Sequence, residues 1–214
     1  MPLYKTIKVN RTTTLYIWKI EESFQELSEG VGLTNHCQNR VDEMLSEIHK
    51  RGFMSVRQLL KHAGYTDFDL FYDDKGKPHL KDGKHISITH SYYFSGIIIG
   101  DEEVGIDIEK QREKILTIAN KFTPLREYRT LANDEAVIRK LTIVWGAKEA
   151  IYKIYSEKGV SFLNHINVKD FQFDDVKTTA DLYYKGTSSS YTVSFTEFEG
   201  FTCVYAMPQP LGIS

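Results

Sequence analysis

The chain has 214 residues, 41% of them hydrophobic and 26% charged, with a formal net charge of -2 at neutral pH. That is a globular composition, long enough for one large core or two small ones, and its near-neutral balance excludes a general attraction to nucleic acid or anionic membrane. The longest aliphatic run, Ile97-Ile98-Ile99, is far too short to span a bilayer, and the N-terminal residues do not read as a signal peptide. Two distant cysteines, Cys37 and Cys203, make neither a disulfide framework nor a zinc site, so a reducing, cytoplasmic setting is expected.

Residues 1–20 alternate loosely, and Thr14 to Ile20 predict a strand. Residues 36–64 carry helical periodicity, with Val41, Leu45 and Ile48 on one face, Met54, Leu59 and Leu60 following, and Gly64 as a stop. Asp73 to Pro78 is a turn. Two strands are expected at Ile86 to Thr89 and Phe94 to Ile99, and another over 104–109. Segments 113–122 and 125–140 read as helices broken by Thr123-Pro124, with the proline suited to a first helical turn. A strong helix is expected over 141–156, where Leu141, Val144, Trp145, Ala147, Ile151 and Ile154 supply apolar surface. From about 166 the chain reads as strands with turns at Lys185-Gly186 and Glu199-Gly200.

The segment Ile86-Ser87-Ile88-Thr89 lies on Val193-Ser194-Phe195-Thr196 without gaps, which places Phe94 on Phe201 and Ile97-Ile98 on Val204-Tyr205. Two similar α+β halves would produce this, and so would a chance likeness of two half-buried hairpins.

On the strand over 104–109, Asp107 and Glu109 share a face while Ile106 and Ile108 take the other. Two carboxylates about 7 Å apart along a strand can share one hard cation with water and phosphate oxygens. They would equally suit the solvated face of an edge strand. Gly105 suggests a close backbone approach or a bulge. On the helix, Trp145, Glu149 and Lys153 form one stripe beside Lys148, with Glu149 available as a third carboxylate. A surface ion pair between Glu149 and Lys153 is the plainer reading, but it leaves Trp145 on that stripe unexplained unless the indole fixes the Glu149 carboxylate. Lys77, Thr89, His90 and Ser91 offer groups for phosphate oxygens, with Arg51 and Arg57 upstream. No Walker-type loop or GxGxxG is present.

These segments together resemble the 4'-phosphopantetheinyl transferase superfamily, specifically its surfactin-synthetase-activator (Sfp) type. The resemblance is carried by Gly76-Lys77-Pro78, Ile86 to Ser91, Val104 to Glu109, Lys121-Phe122 with Glu127, Trp145 to Lys153, and Lys158-Gly159-Val160-Ser161-Phe162. It departs from the family pattern at Gly146, where Ser, Thr or Cys is usual, and matches poorly over residues 1–50. It implies two pseudo-repeated α+β halves packed together with the active site at their junction. Residues 1–101 would form the coenzyme A 3'-phosphate side, and 102–214 would carry the metal and catalytic motifs. The implied reaction moves the phosphopantetheine arm of coenzyme A to a serine of an acyl or peptidyl carrier protein, releasing adenosine 3',5'-bisphosphate. By position, Asp107, Glu109 and Glu149 would hold magnesium, and Glu149, Lys153 and Asp107 would be catalytic. Arg57, Lys77, Pro78, Thr89, His90, Lys148 and Lys153 would bind coenzyme A. A monomer is implied, with no nucleic-acid or membrane partner. A non-catalytic paralogue binding coenzyme A or a carrier protein is the alternative.

Overall fold

The loose alternation of the first residues becomes two antiparallel strands, β1 (Leu3–Lys8) and β2 (Thr14–Lys19). The computed structural model describes residues 3–124 and 133–210, and the chain divides into two units, Met1–Glu102 and Glu103–Ser214. Both are mixed α+β, as expected.

In the first unit, helices α1 (Phe24–Ser28), α2 (Asn35–Glu43) and α3 (Glu47–His62) precede β3 (Leu70–Tyr72), β4 (Pro78–Leu80), β5 (His85–Ser91) and β6 (Phe94–Gly100). The strands form one sheet in the order β1-β2-β6-β5-β4-β3, against which α3 packs Met54, Leu59 and Leu60. Each such fully buried aliphatic side chain contributes about 1.5–3 kcal/mol. The expected single helix over 36–64 is two helices. Ser46 turns extended and caps α3, its hydroxyl accepting from His49 N at 3.5 Å, so the chain breaks between Met44 and Ser46. Leu45 is consequently fully exposed and Ile48 half-exposed, not on the buried face with Val41. Gly64 follows the end of α3 at φ +89°, where the stop was expected.

In the second unit, β7 (Gly105–Lys110) is followed by α4 (Lys114–Ile118), α5 (Asp134–Tyr155) and α6 (Phe162–His165). Strands β8 (Ile166–Val168), β9 (Lys177–Tyr184), β10 (Thr187–Phe198) and β11 (Phe201–Pro208) complete a sheet in the order β7-β11-β10-β9-β8. Residues 125–132, including Glu127 and the first half of the helix expected over 125–140, lie outside the described residues. From Asp134 one helix continues to Tyr155 without the expected division near 141. Asn133 caps it by accepting from Ala136 N at 2.9 Å, Asp134 and Glu135 sit in its first turn, and it ends where Ser156 turns left-handed at φ +53°. Leu141, Val144, Ala147, Ile151 and Ile154 are buried in its core.

The repeated hairpin is present with matching register. Ile86 faces Ile99 as Val193 faces Ala206; Ile88 faces Ile97 as Phe195 faces Val204; Ser91 faces Phe94 as Phe198 faces Phe201. The first residue of each tip is left-handed, Tyr92 at φ +52° and Glu199 at φ +47°. The next strand outward also corresponds: β2 flanks β6 as β7 flanks β11. Among the described residues, no helix is long and apolar enough to cross a membrane.

Candidate active site

The acid pair lies on β7, which among the described residues is an edge strand paired only with β11, where Asp107 faces Val204 and Glu109 faces Thr202. In the first unit the strand-equivalent positions hold Tyr16, which faces Ile97, and Trp18, which faces Ser95. The carboxylates therefore belong to the second unit's version of a shared framework. Asp107 is only 6% exposed, which removes the solvated-edge reading for it, and Glu109 is half-buried.

Helix α5 reaches this strand because two glycines let its backbone come close. A Cβ on Gly105 would lie 1.9 Å from Ala150 O, and one on Gly146 would lie 2.7 Å from Val204 Cγ2. The close approach suggested by Gly105 is thus a helix carbonyl against the strand. At Gly146 the space a larger residue would need is filled by Val204. Between these contacts, Glu149 and Lys153 project toward the acid pair. Lys153 Nζ donates to Asp107 Oδ1 at 2.9 Å and to Ile106 O at 2.7 Å. Lys153 thus pairs across elements with Asp107, and its charge reaches Glu149 only through space.

The three carboxyls are electrostatically coupled. Burial, reinforced by the Asp107 charge, pushes Glu109 up to about 7; Arg112 opposes this, Glu149 adds to it, and an indole hydrogen bond from Trp145 opposes it. Glu149 is also raised, first by burial and then by Asp107, with Lys153 pulling it back. Trp145 thus holds Glu109, where the sequence suggested Glu149. Among the described residues no three His, Cys, Asp or Glu side chains close on a common point as a metal cage. Magnesium is usually held by one or two carboxylates, with water and substrate phosphate completing its shell, so an open set of one buried and two half-buried, mutually repelling carboxyls fits that ion. Beside Glu109 lies a cleft of about 200 Å³ lined by Lys110, Arg112, Lys114, Ile115, Ile118 and Trp145. Its three cations, Lys110, Arg112 and Lys114, were not singled out in the sequence.

Lys148 lies in the interior of the second unit. It is 1% exposed, and its ammonium donates to Phe122 O at 2.6 Å and Phe162 O at 2.8 Å. Trp145 packs on the same two rings, with centroids 5.1 and 5.5 Å away. Three separated motif segments, around Phe122, Lys148 and Phe162, are therefore tied together by one buried lysine. This placement gives Lys148 an anchoring job in the fold.

In the first unit, a cleft of about 330 Å³ is lined by Arg40, His49, Tyr72 and His90 among others. His90 stands on the α3 side of β5 with Ile86 and Ile88, whereas Thr89, 6% exposed, faces the other side. Lys77 and Pro78 are half-buried on the β3–β4 turn, where Asp73 Oδ1 accepts from Lys77 N at 2.9 Å. Arg57 reaches the cleft wall, yet it is 3% exposed and its Nε donates to Asp67 Oδ1 at 3.0 Å. That buried pair holds Arg57 within the fold. Arg51 donates to Ile20 O at 3.1 Å.

Residues 103–206, spanning β7 through most of β11 and so the whole acid site, match the family model of the 4'-phosphopantetheinyl transferase superfamily. Over that region the chain is similar to this superfamily. It is also similar to the 4'-phosphopantetheinyl transferase gsp of Aneurinibacillus migulanus, at 28% identity over 134 residues. That alignment covers 61% of this chain and 54% of the relative, so the chain spans about half the length of the curated relative it matches.

Proposed function

We propose that the protein is a magnesium-dependent phosphopantetheinyl transferase of the Sfp type, moving the 4'-phosphopantetheine arm of coenzyme A to a serine of an acyl or peptidyl carrier protein. The observation that carries the reading is the coupled set Asp107, Glu109 and Glu149 beside Lys153, inside the region that matches the family. Asp107, Glu109 and Glu149 would hold magnesium, which neutralises charge on the coenzyme A pyrophosphate. The serine oxygen forms a bond to the phosphorus bearing the pantetheine arm, and that phosphorus releases the oxygen of adenosine 3',5'-bisphosphate. Glu149, its carboxyl raised above the ordinary value by burial, takes the serine proton. Lys153, fixed by Asp107 and Ile106, offsets charge on the leaving phosphate and can return a proton to it.

His90, with Lys77, Pro78 and Thr89, is assigned to the adenosine 3'-phosphate end. The mixed cleft by Glu109, basic with an Ile115, Ile118 and Trp145 floor, suits the approach of the arm or the carrier. A cytoplasmic monomer is the simplest setting.

Intact-protein mass spectrometry of an apo carrier incubated with this protein, coenzyme A and magnesium tests the reading. The expected result is a mass gain of one phosphopantetheine, abolished by chelator and by Asp107→Ala or Glu149→Ala. Near-normal turnover in either folded variant would sink the assignment of the acid site. No gain on any of several carriers, with coenzyme A still bound, would instead favour the non-catalytic paralogue.

A further inference from the structure

The His90 ring occupies space that a side chain at residue 52 would need. Gly52 is buried in the second turn of α3, and a Cβ placed there would lie 2.8 Å from His90 Cδ2, 3.4 Å from Cγ and 3.5 Å from Nε2. The first of these is closer than side-chain carbons come, so one group must move. The helix is the group least able to. Ser55 Oγ donates to Gly52 O at 2.8 Å and bonds Ser95 Oγ at 2.9 Å, and both serines are fully buried. Ser95 is the residue facing His90 across the β5–β6 ladder. Helix α3 is therefore pinned to the sheet at the level of His90, and a methyl at residue 52 would displace the imidazole. One helical turn before Gly52, His49 stands edge-on to the same ring, with centroids 6.3 Å apart.

We propose that Gly52 is a positioning residue for His90: its missing side chain is the seat that aims the imidazole into the first-unit cleft. The inference rests on the proposed reading of His90 at the coenzyme A 3'-phosphate. Its consequence is selectivity for coenzyme A over 3'-dephospho-coenzyme A, since a ring displaced by even about 1 Å loses an oriented hydrogen bond worth tenfold or more.

The test is to measure binding and steady-state transfer with coenzyme A and with 3'-dephospho-coenzyme A for wild type, Gly52→Ala, His90→Ala and the double variant. The wild type is expected to prefer coenzyme A. Gly52→Ala should raise the coenzyme A KM about tenfold with kcat changed less than about threefold, bringing the two substrates close together. In the His90→Ala background the same glycine change should leave the ratio unmoved, because nothing remains for the methyl to displace. A merely structural glycine would lower stability in both backgrounds and leave the substrate ratio alone, which overturns the proposal. Should Gly52→Ala alone fail to fold while Gly52→Ala/His90→Ala folds, the contact between the two side chains is established by that rescue. Transfer by wild type with no preference between the two substrates defeats the reading of His90 and this inference with it. Preference in wild type that Gly52→Ala preserves defeats the inference alone.

Discussion

Arg57→Met separates the two roles that sequence and structure assign to this arginine. The guanidinium and the Asp67 carboxylate are 3% and 0% exposed, with Nε 3.0 Å from Oδ1. The same guanidinium donates to Phe53 O and Cys37 Sγ and lies 3.5 Å from the Phe53 ring centroid. Methionine keeps an apolar stem of similar length and removes the charge. Removing one partner of a buried pair costs about 3–5 kcal/mol, because the other charge is left uncompensated. Asp67 retains hydrogen bonds from Thr34 N at 2.8 Å and Thr34 Oγ1 at 3.0 Å, which sets the loss near the lower end, about 3 kcal/mol. At about 1.4 kcal/mol per tenfold, the folded-to-unfolded ratio falls by more than 100-fold. With a urea dependence of about 2 kcal/mol/M, the midpoint falls by about 1.5 M. The two tryptophans, Trp18 and Trp145, lie one in each unit, so Trp145→Phe leaves Trp18 fluorescence to report on the first unit. Adding Asp67→Asn should recover part of the loss, since no bare charge then remains. The acid limb carries the same information. Burial raises the Asp67 carboxyl, but the Thr34 amide, the Arg57 charge and further hydrogen bonds from Cys37 and Thr34 outweigh it and leave the group below its ordinary value. A depressed folded value means that the stabilisation is present above the unfolded carboxylate range of about 4 and is lost as pH falls through the folded value. Wild type and Arg57→Met should therefore converge in strong acid. An unchanged urea midpoint together with a raised coenzyme A KM would refute this account and return Arg57 to the ligand.

Lys148→Met should destabilise the second unit by about 1–3 kcal/mol, because the carbonyls of Phe122 and Phe162 lose their buried donor. Thermal unfolding with and without coenzyme A checks it; an unchanged melting temperature with weakened coenzyme A binding would restore the direct contact. Gly105→Ala should fail to reach the native packing, with a loss at the upper end of about 3 kcal/mol or more for an overpacked site, since its Cβ would meet Ala150 O. A normally stable Gly105→Ala protein would show that α5 does not sit this close to β7. Lys153→Ala should strip the ammonium from the buried Asp107 and end transfer while secondary structure by circular dichroism persists. Retained transfer there would remove Lys153 from the site.

Local chemistry was legible where it is set by neighbours in the chain. The alternation of Asp107 and Glu109 with Ile106 and Ile108, the turns at Lys185-Gly186 and Glu199-Gly200, and the apolar stripe of the long helix are properties of a few consecutive residues. The repeated hairpin was legible too, because equal register requires equal spacing of apolar residues on both strands. The break at Ser46 was not, since an apolar face running through Leu45 and Ile48 looks like a buried one until a cap competes with it. Partner choice was beyond reach for a different reason. Lys153 selects Asp107, Lys148 selects two carbonyls, Trp145 selects Glu109 and Arg57 selects Asp67 only after elements far apart in the chain have packed. What an ammonium or guanidinium does depends on which acceptors burial leaves it, and burial is a property of the tertiary structure, not of spacing along the chain.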